Sequence, residues 1–258
     1  MNKESEARSR KTGCSIQQQY DDIAFIYDLL SDGDDVILYF RMHAEKEIAK
    51  LSQSAKILDC SCGTGNHAIW MARQGFDISA SDISDEMVAL ASAKAGKENV
   101  SINFFKSSWE ELPAMTRDTF DLVVSPGNSM AHLYEMDSLL STFKAIKEVL
   151  NPGAAYFFDV RNWEKTFEEA SLITQDFDVK NEKGNINVRY SYDIRGWNAP
   201  CIMHVDIQRE GEEESSRYPF HFLPIAYQQF HDALSKAGFK DIKRGFYPGE
   251  DYYFVVAK

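Results

Sequence analysis

Asp59-Cys60-Ser61-Cys62-Gly63-Thr64-Gly65 is a compact group of residues able to hold a ligand. The two glycines let the backbone turn sharply and approach a bound group closely. A helix opening at Asn66 would point its first N–H groups at the same place, which favours an anionic group. Asp82 ends the next strand, where a carboxylate can accept hydrogen bonds from both hydroxyls of a ribose. The stretch Gly63-Thr64-Gly65-Asn66-His67-Ala68 also fits the dinucleotide pattern G-x-G-x-x-A. Asp59 separates the two readings, because a carboxylate beside the loop repels a pyrophosphate and suits a ligand carrying an ammonium group.

A second group lies further on. Ser125-Pro126-Gly127-Asn128-Ser129-Met130-Ala131-His132-Leu133 follows one apolar run, and Arg161-Asn162-Trp163 follows another. Loops at the carboxyl ends of strands are where open α/β sheets bind ligands. Arg161 offers a planar fork that matches a carboxylate with two charge-assisted bonds. Each of these residues also has a purely structural reading. Arg161 could pair with a carboxylate of the fold, Asn128 could serve a turn, His132 could be a hydrogen-bonded core histidine, and Trp109 could be a core aromatic.

The elements that must position these groups read as follows. Ile23, Ile26, Tyr27 and Leu30 recur at helical spacing over 16–30, and Val36, Tyr39, Phe40, Ala44 and Ile48 do so over 35–51. Residues 1–15 are polar and are expected to be disordered unless docked. Short apolar strands are expected at 56–60, 76–81, 100–105, 119–125 and 154–160. Helices are expected at 66–74, from the N-cap Ser84 onward, and at 136–150. This alternation predicts an α/β fold, a Rossmann-like mostly parallel sheet with helices on both faces. From 163 the period changes to that of half-exposed antiparallel strands, at 186–195 and 201–209, with Asn198-Ala199-Pro200 as a turn. A helix at 225–236 and strands at 239–245 and 252–257 close the chain. The expected organisation is an N-terminal helical arm (1–52), a core (53–162 and 223–258) and an antiparallel insertion (163–222) acting as a lid over the substrate.

The 258 residues carry 28 Lys and Arg against 40 Asp and Glu, a net charge of −12. Such a surface repels polyanions, so nucleic acid is not expected as a partner. The four cysteines, Cys14, Cys60, Cys62 and Cys201, show no zinc spacing and read as free thiols in a reducing compartment, with no metal site expected. No segment has the length and apolarity of a signal peptide or a bilayer span, so the expectation is a cytoplasmic protein away from membranes.

Asp59, Gly63, Gly65 and Asp82 together resemble the first two motifs of the class I S-adenosylmethionine-dependent methyltransferases. The pair G-N-S-x-A-H-L and D-x-R-N resembles the glycine and glycine/sarcosine N-methyltransferases, the latter starting betaine synthesis. The resemblance implies S-adenosylmethionine as cofactor, held by Tyr27, Arg41, Asp59, Ser61, Gly63, Gly65, Asp82, Ile83, Ser108, Trp109, Asn128 and His132. Trp109 would pack on the adenine, with neighbouring N–H groups reading its edge, and Tyr27 would lie near the sulfonium. It implies a small amino-acid substrate, glycine and perhaps sarcosine, bound by Asn128 and Arg161, with Tyr218 lining the pocket. Asn128, Arg161 and Tyr27 would then carry catalysis, which is chiefly the holding of nucleophile, methyl and sulfur in line. The alternative is a methyltransferase of another small metabolite. Both a monomer and a homo-oligomer are compatible with the sequence.

Overall fold

The computed structural model describes residues 15–30, 40, 44–133, 136–169, 175–181 and 184–258. Ser15 caps the first helix by accepting the Gln18 N–H at 3.2 Å, and α1 runs Ile16–Ile23. A 3-10 turn, Ala24–Ile26, leads into α2, Tyr27–Leu30. The helix expected over 16–30 is thus tightened in its middle, a change that keeps both Ile23 and Ile26 buried. Residues 44–48 are helical and bury Ala44 and Ile48 together with Phe40. The 1–14 arm, the rest of the expected 35–51 helix before residue 44, and Arg41 lie outside the described residues.

The core alternates as its hydrophobic pattern requires. In order come β1 (Lys56–Asp59), α3 (Asn66–Arg73), β2 (Asp77–Asp82), α4 (Asp85–Lys97), β3 (Asn103–Lys106), α5 (Leu112–Met115) and β4 (Phe120–Ser125). A 3-10 turn (Ser129–His132), α6 (Met136–Glu148), β5 (Leu150–Arg161) and α7 (Trp163–Glu169) follow. Ser84 is the N-cap of α4, accepting the Met87 N–H at 3.1 Å. Asn151-Pro152-Gly153 stops α6 as expected, but it lies inside β5 rather than between elements. Phe120 pairs with Leu150 and Leu122 with Ala155, so the extra residues are taken up as a bulge.

Four strands complete a second, antiparallel sheet, β6 (Gln175–Asn181), β7 (Gly184–Asp193), β8 (Cys201–Arg209) and β9 (Ser216–Phe222), in that spatial order. The sequence pattern showed β7 and β8 and missed the two edges. Pro219 disguises β9, and it is tolerated because an edge strand has a row of N–H groups that pair with nothing. The chain ends with α8 (Tyr227–Lys236), β10 (Ile242–Phe246) and β11 (Tyr252–Ala257).

The main sheet has the order β10-β11-β5-β4-β1-β2-β3. β1 to β5 run parallel, whereas β11 is antiparallel to both β5 and β10. The order reverses direction between β1 and β4, and at such a switch point the loops leaving the carboxyl ends diverge and open a crevice. One core cluster packs α6 and α8 against β4, β5 and β11, a second packs α3 with Phe40, Ala44 and Ile48 on the opposite face, and a third joins α1 to the inner face of the second sheet.

Candidate active site

The crevice at the switch point is a cavity of about 530 Å³. The glycine loop after β1, the loop after β4, the end of β5, the β10–β11 turn, α1, α2 and the inner face of the second sheet all contribute to its wall. Of the sequence-derived candidates it brings together Tyr27, Ser61, Gly63, Asn128 and Arg161.

The glycine loop is held by acids from behind. Gly63 and Gly65 both have positive φ, 51° and 87°, which glycine adopts without strain. A Cβ on Gly65 would meet Ala91 Cβ of α4 at 2.9 Å, so this residue also lets α4 pack against the loop. Asp82 accepts the Gly63 N–H at 2.8 Å and the Ser84 N–H at 3.0 Å, fixing the loop to the start of α4. Asp59 is fully buried at the end of β1, and its Oδ1 accepts the Ser61 N–H at 3.3 Å. Among the described residues its Oδ2 has no hydrogen-bond partner. Burial, with the Asp82 charge adding, pushes the Asp59 carboxyl up to about 7 against the opposing Ser61 bond. An unpartnered buried carboxylate oxygen under a glycine turn suits a ligand that brings its own ammonium group. Tyr27 lies across this loop, its ring 3.7 Å from where a Gly63 Cβ would stand, and burial pushes its phenol up to about 12.

The loop after β4 meets the end of β5. Asn128 adopts φ 63° and heads the 3-10 turn. Its N–H donates to Asp159 Oδ1 at 2.8 Å, and its side-chain Oδ1 accepts the Arg161 N–H at 2.9 Å. Asn128 therefore serves the turn and lines the cavity at once. The half-buried Arg161 guanidinium donates to the Tyr252 hydroxyl at 2.8 Å. It lies 4.9 Å from the Tyr252 ring centre, 5.7 Å from Tyr192 and 6.0 Å from Trp163. Among the described residues Arg161 makes no ion pair. The acids of the same cavity are engaged elsewhere, Asp159 by Tyr247 and Asp251 by Lys165.

Other candidates fall outside the cavity wall. His132 is buried, and its Nδ1 lies 2.8 Å from the His221 carbonyl. That bond puts the proton on Nδ1, so Nε2 accepts the Tyr20 hydroxyl at 2.6 Å. Burial lowers its pKa to about 4, and both nitrogens are used in tying α1, the 3-10 turn and β9 together. Trp109 packs half-buried against the α6-side core. Ser108 has both its N–H and its hydroxyl bonded to Glu111, at 3.1 and 2.8 Å. Ile83 follows Asp82 and is likewise not part of the wall. Tyr218 is half-buried and packs against the core of the second sheet; Phe220 and Phe222, on the same face of β9, reach the cavity instead. The sequence reading missed Tyr20, Tyr190, Tyr192, Tyr247 and Tyr252, which come from three distant segments. Asp159 carried a visible signal, an acid at a strand end two residues before Arg161.

Residues 57–153 match the family described as Methyltransferase domain. The glycine/sarcosine N-methyltransferase of Parasynechococcus marenigrum (strain WH8102) is 25% identical over 96% of this chain and 87% of its own length. The glycine N-methyltransferase of Homo sapiens is 30% identical over 70% of this chain and 68% of its own. The chain belongs to the class I S-adenosylmethionine-dependent methyltransferases. The fold of this methyltransferase is also that of the CcbJ methyltransferase from Streptomyces caelestis, with a TM-score of 0.76, 17% identity and coverage of 95% and 99% of the two chains. The methyltransferase uses S-adenosylmethionine, and the glycine loop with the unpartnered Asp59 oxygen fits that group. Among its described residues no helix is long and apolar enough to cross a membrane.

Proposed function

We propose that this methyltransferase methylates the nitrogen of a small amino acid, glycine or sarcosine, in betaine-type osmolyte or methyl-group metabolism. The observation that carries the reading is Arg161. A guanidinium half-removed from water, with no carboxylate paired to it among the described residues, is an incomplete ion pair, and a substrate carboxylate completes it. Relatives that act on glycine and sarcosine support the same reading.

S-Adenosylmethionine supplies an electrophilic methyl on a sulfonium. The chain's part is to hold and orient. Asp59, Ser61, Gly63, Gly65, Asp82 and Tyr27 hold the cofactor, with Arg41, Ile83, Ser108, Trp109 and His132 proposed around its edge. Asn128 keeps its amide N–H groups for the substrate, since its oxygen is taken by the Arg161 N–H. The aromatic wall of Tyr190, Tyr192, Phe220 and Phe222 excludes water and favours a methylated ammonium. The second sheet acts as the lid over the acceptor, within a cytoplasmic enzyme.

The test is incubation of the purified protein with S-adenosylmethionine and, separately, glycine, sarcosine and dimethylglycine, with products read by mass spectrometry. Methylated product from glycine or sarcosine is the expected result. Cofactor binding without product from any of the three would move the acceptor to another small metabolite.

A further inference from the structure

An amine must lose its proton before it can attack a methyl group, and the cavity holds one arrangement able to take it. Asp159 sits near the end of β5, two residues before Arg161 and therefore on the same face of the strand. Its Oδ1 accepts the Asn128 N–H at 2.8 Å, and its Oδ2 accepts the Tyr247 hydroxyl at 2.8 Å. Tyr247 follows β10 at the start of the turn to β11. Both side chains line the cavity, at only 6% and 7% exposure. We propose that Tyr247 and Asp159 form a proton relay, in which Tyr247 receives the proton of the substrate ammonium and passes its own to Asp159. The inference rests on the reading of the acceptor as an amino acid.

The step balances within the chain and substrate. One N–H bond of the ammonium breaks and an O–H bond forms at Tyr247. The former phenolic proton forms a bond to Asp159 Oδ2, the carboxylate becomes neutral, and the nitrogen keeps its lone pair for the methyl. The proton leaves to solvent after product departs.

The surroundings favour this direction. Burial raises the Asp159 carboxyl above its ordinary range, against the opposing bonds from Asn128, Tyr247 and Gly127. The titratable groups around Asp159 are Tyr27 from α2, Tyr156 from its own strand and Tyr247 from the turn. Arg161 is the cation on its strand, and its guanidinium is directed to Tyr252, whereas Lys165 and Asp251 pair with each other at the turn. The fixed spacing also has a use. Arg161 on the carboxylate and Tyr247 on the amine would address both ends of one α-amino acid.

The test compares wild type with Tyr247→Phe and Asp159→Asn across pH. Tyr247→Phe keeps the ring, and Asp159→Asn keeps an oxygen for the Asn128 N–H. Each variant should lose kcat/KM near neutral pH by on the order of 10²-fold. The loss should shrink as pH rises and the free amine becomes abundant. Amino-acid binding, measured calorimetrically with the demethylated cofactor in buffers of different ionisation enthalpy, supplies a second readout. Wild type and Tyr247→Phe should both bind the ammonium form near pH 7 with no net proton release and with nearly equal affinity, so that the deficit of the variant falls on kcat and not on binding. A deficit constant with pH, or one that falls on amino-acid binding and not on kcat, would overturn the relay and leave the amino-acid reading standing. If wild-type protein methylates no amino acid, both fall together.

Discussion

At the scale of single residues, Arg161 and Asp59 each present a charge that the fold leaves incomplete. Arg161→Ala should raise the Michaelis constant for the amino acid roughly 10²-fold, the size of a lost charge-assisted contact, while cofactor affinity stays nearly unchanged. Steady-state kinetics beside calorimetric cofactor binding checks this, and an equal loss of both would remove the assigned role. Asp59 makes a prediction about pH. Its carboxyl is raised from 3.8 to about 7, so between these pH values the free protein holds a proton there that the unfolded chain has already lost. The stabilisation from that shift is complete below about 3.8 and is lost as pH rises through about 7. A cofactor ammonium reverses the balance, because it favours the ionised form. Cofactor affinity should therefore rise as pH rises through 7, and Asp59→Asn should flatten the dependence; an unchanged slope in the variant would show that another group titrates.

At the scale of elements, the cofactor loop depends on how closely α4 approaches it. Gly65→Ala asks for a Cβ at φ 87° and places it 2.9 Å from Ala91 Cβ. The backbone term alone is about 1–2 kcal/mol, and the clash pushes α4 away from the loop. Thermal unfolding should fall and cofactor binding weaken in the same variant; a stable variant with normal binding would mean that α4 yields without moving the loop. α1 is tied on two sides. Asp21 accepts the Ser84 hydroxyl at the start of α4, at 2.5 Å, and Gln19 accepts the His221 N–H of β9 at 3.0 Å. Asp28 of α2 pairs with Lys94 at 2.6 Å and accepts the Thr64 hydroxyl. These ties carry Tyr20 and Tyr27 across the mouth of the loop.

At the scale of the whole molecule, the two sheets share one cavity and α1 joins them. A ligand that fills the cavity touches both, so its binding energy appears as stability of the complete fold. Saturation with S-adenosylmethionine at about 100 times its Kd should add about 2.7 kcal/mol, or roughly 5–10 °C in Tm. Hydrogen exchange should slow both in the glycine loop and in α1. Protection confined to the glycine loop would show that α1 does not cover the cofactor.

What the amino-acid order determined alone was local. Strand and helix periods, the Ser84 cap, the glycine turn, Asp59 and Asp82 behind it, and Asn128 and Arg161 at neighbouring strand ends all arise from residues close in sequence, where pattern and turn chemistry act directly. The surroundings of His132 and Tyr218 were not legible in the sequence, because they depend on which distant segment covers each side chain. Only the folded chain places the His221 carbonyl against His132 and turns Phe220 and Phe222 into the cavity while Tyr218 packs half-buried beside the second sheet's core. The same holds for Tyr247, about 90 residues from Asp159 in sequence yet bonded to it. Contacts of that range follow from sheet order and packing, and no short-range period of apolar residues records them.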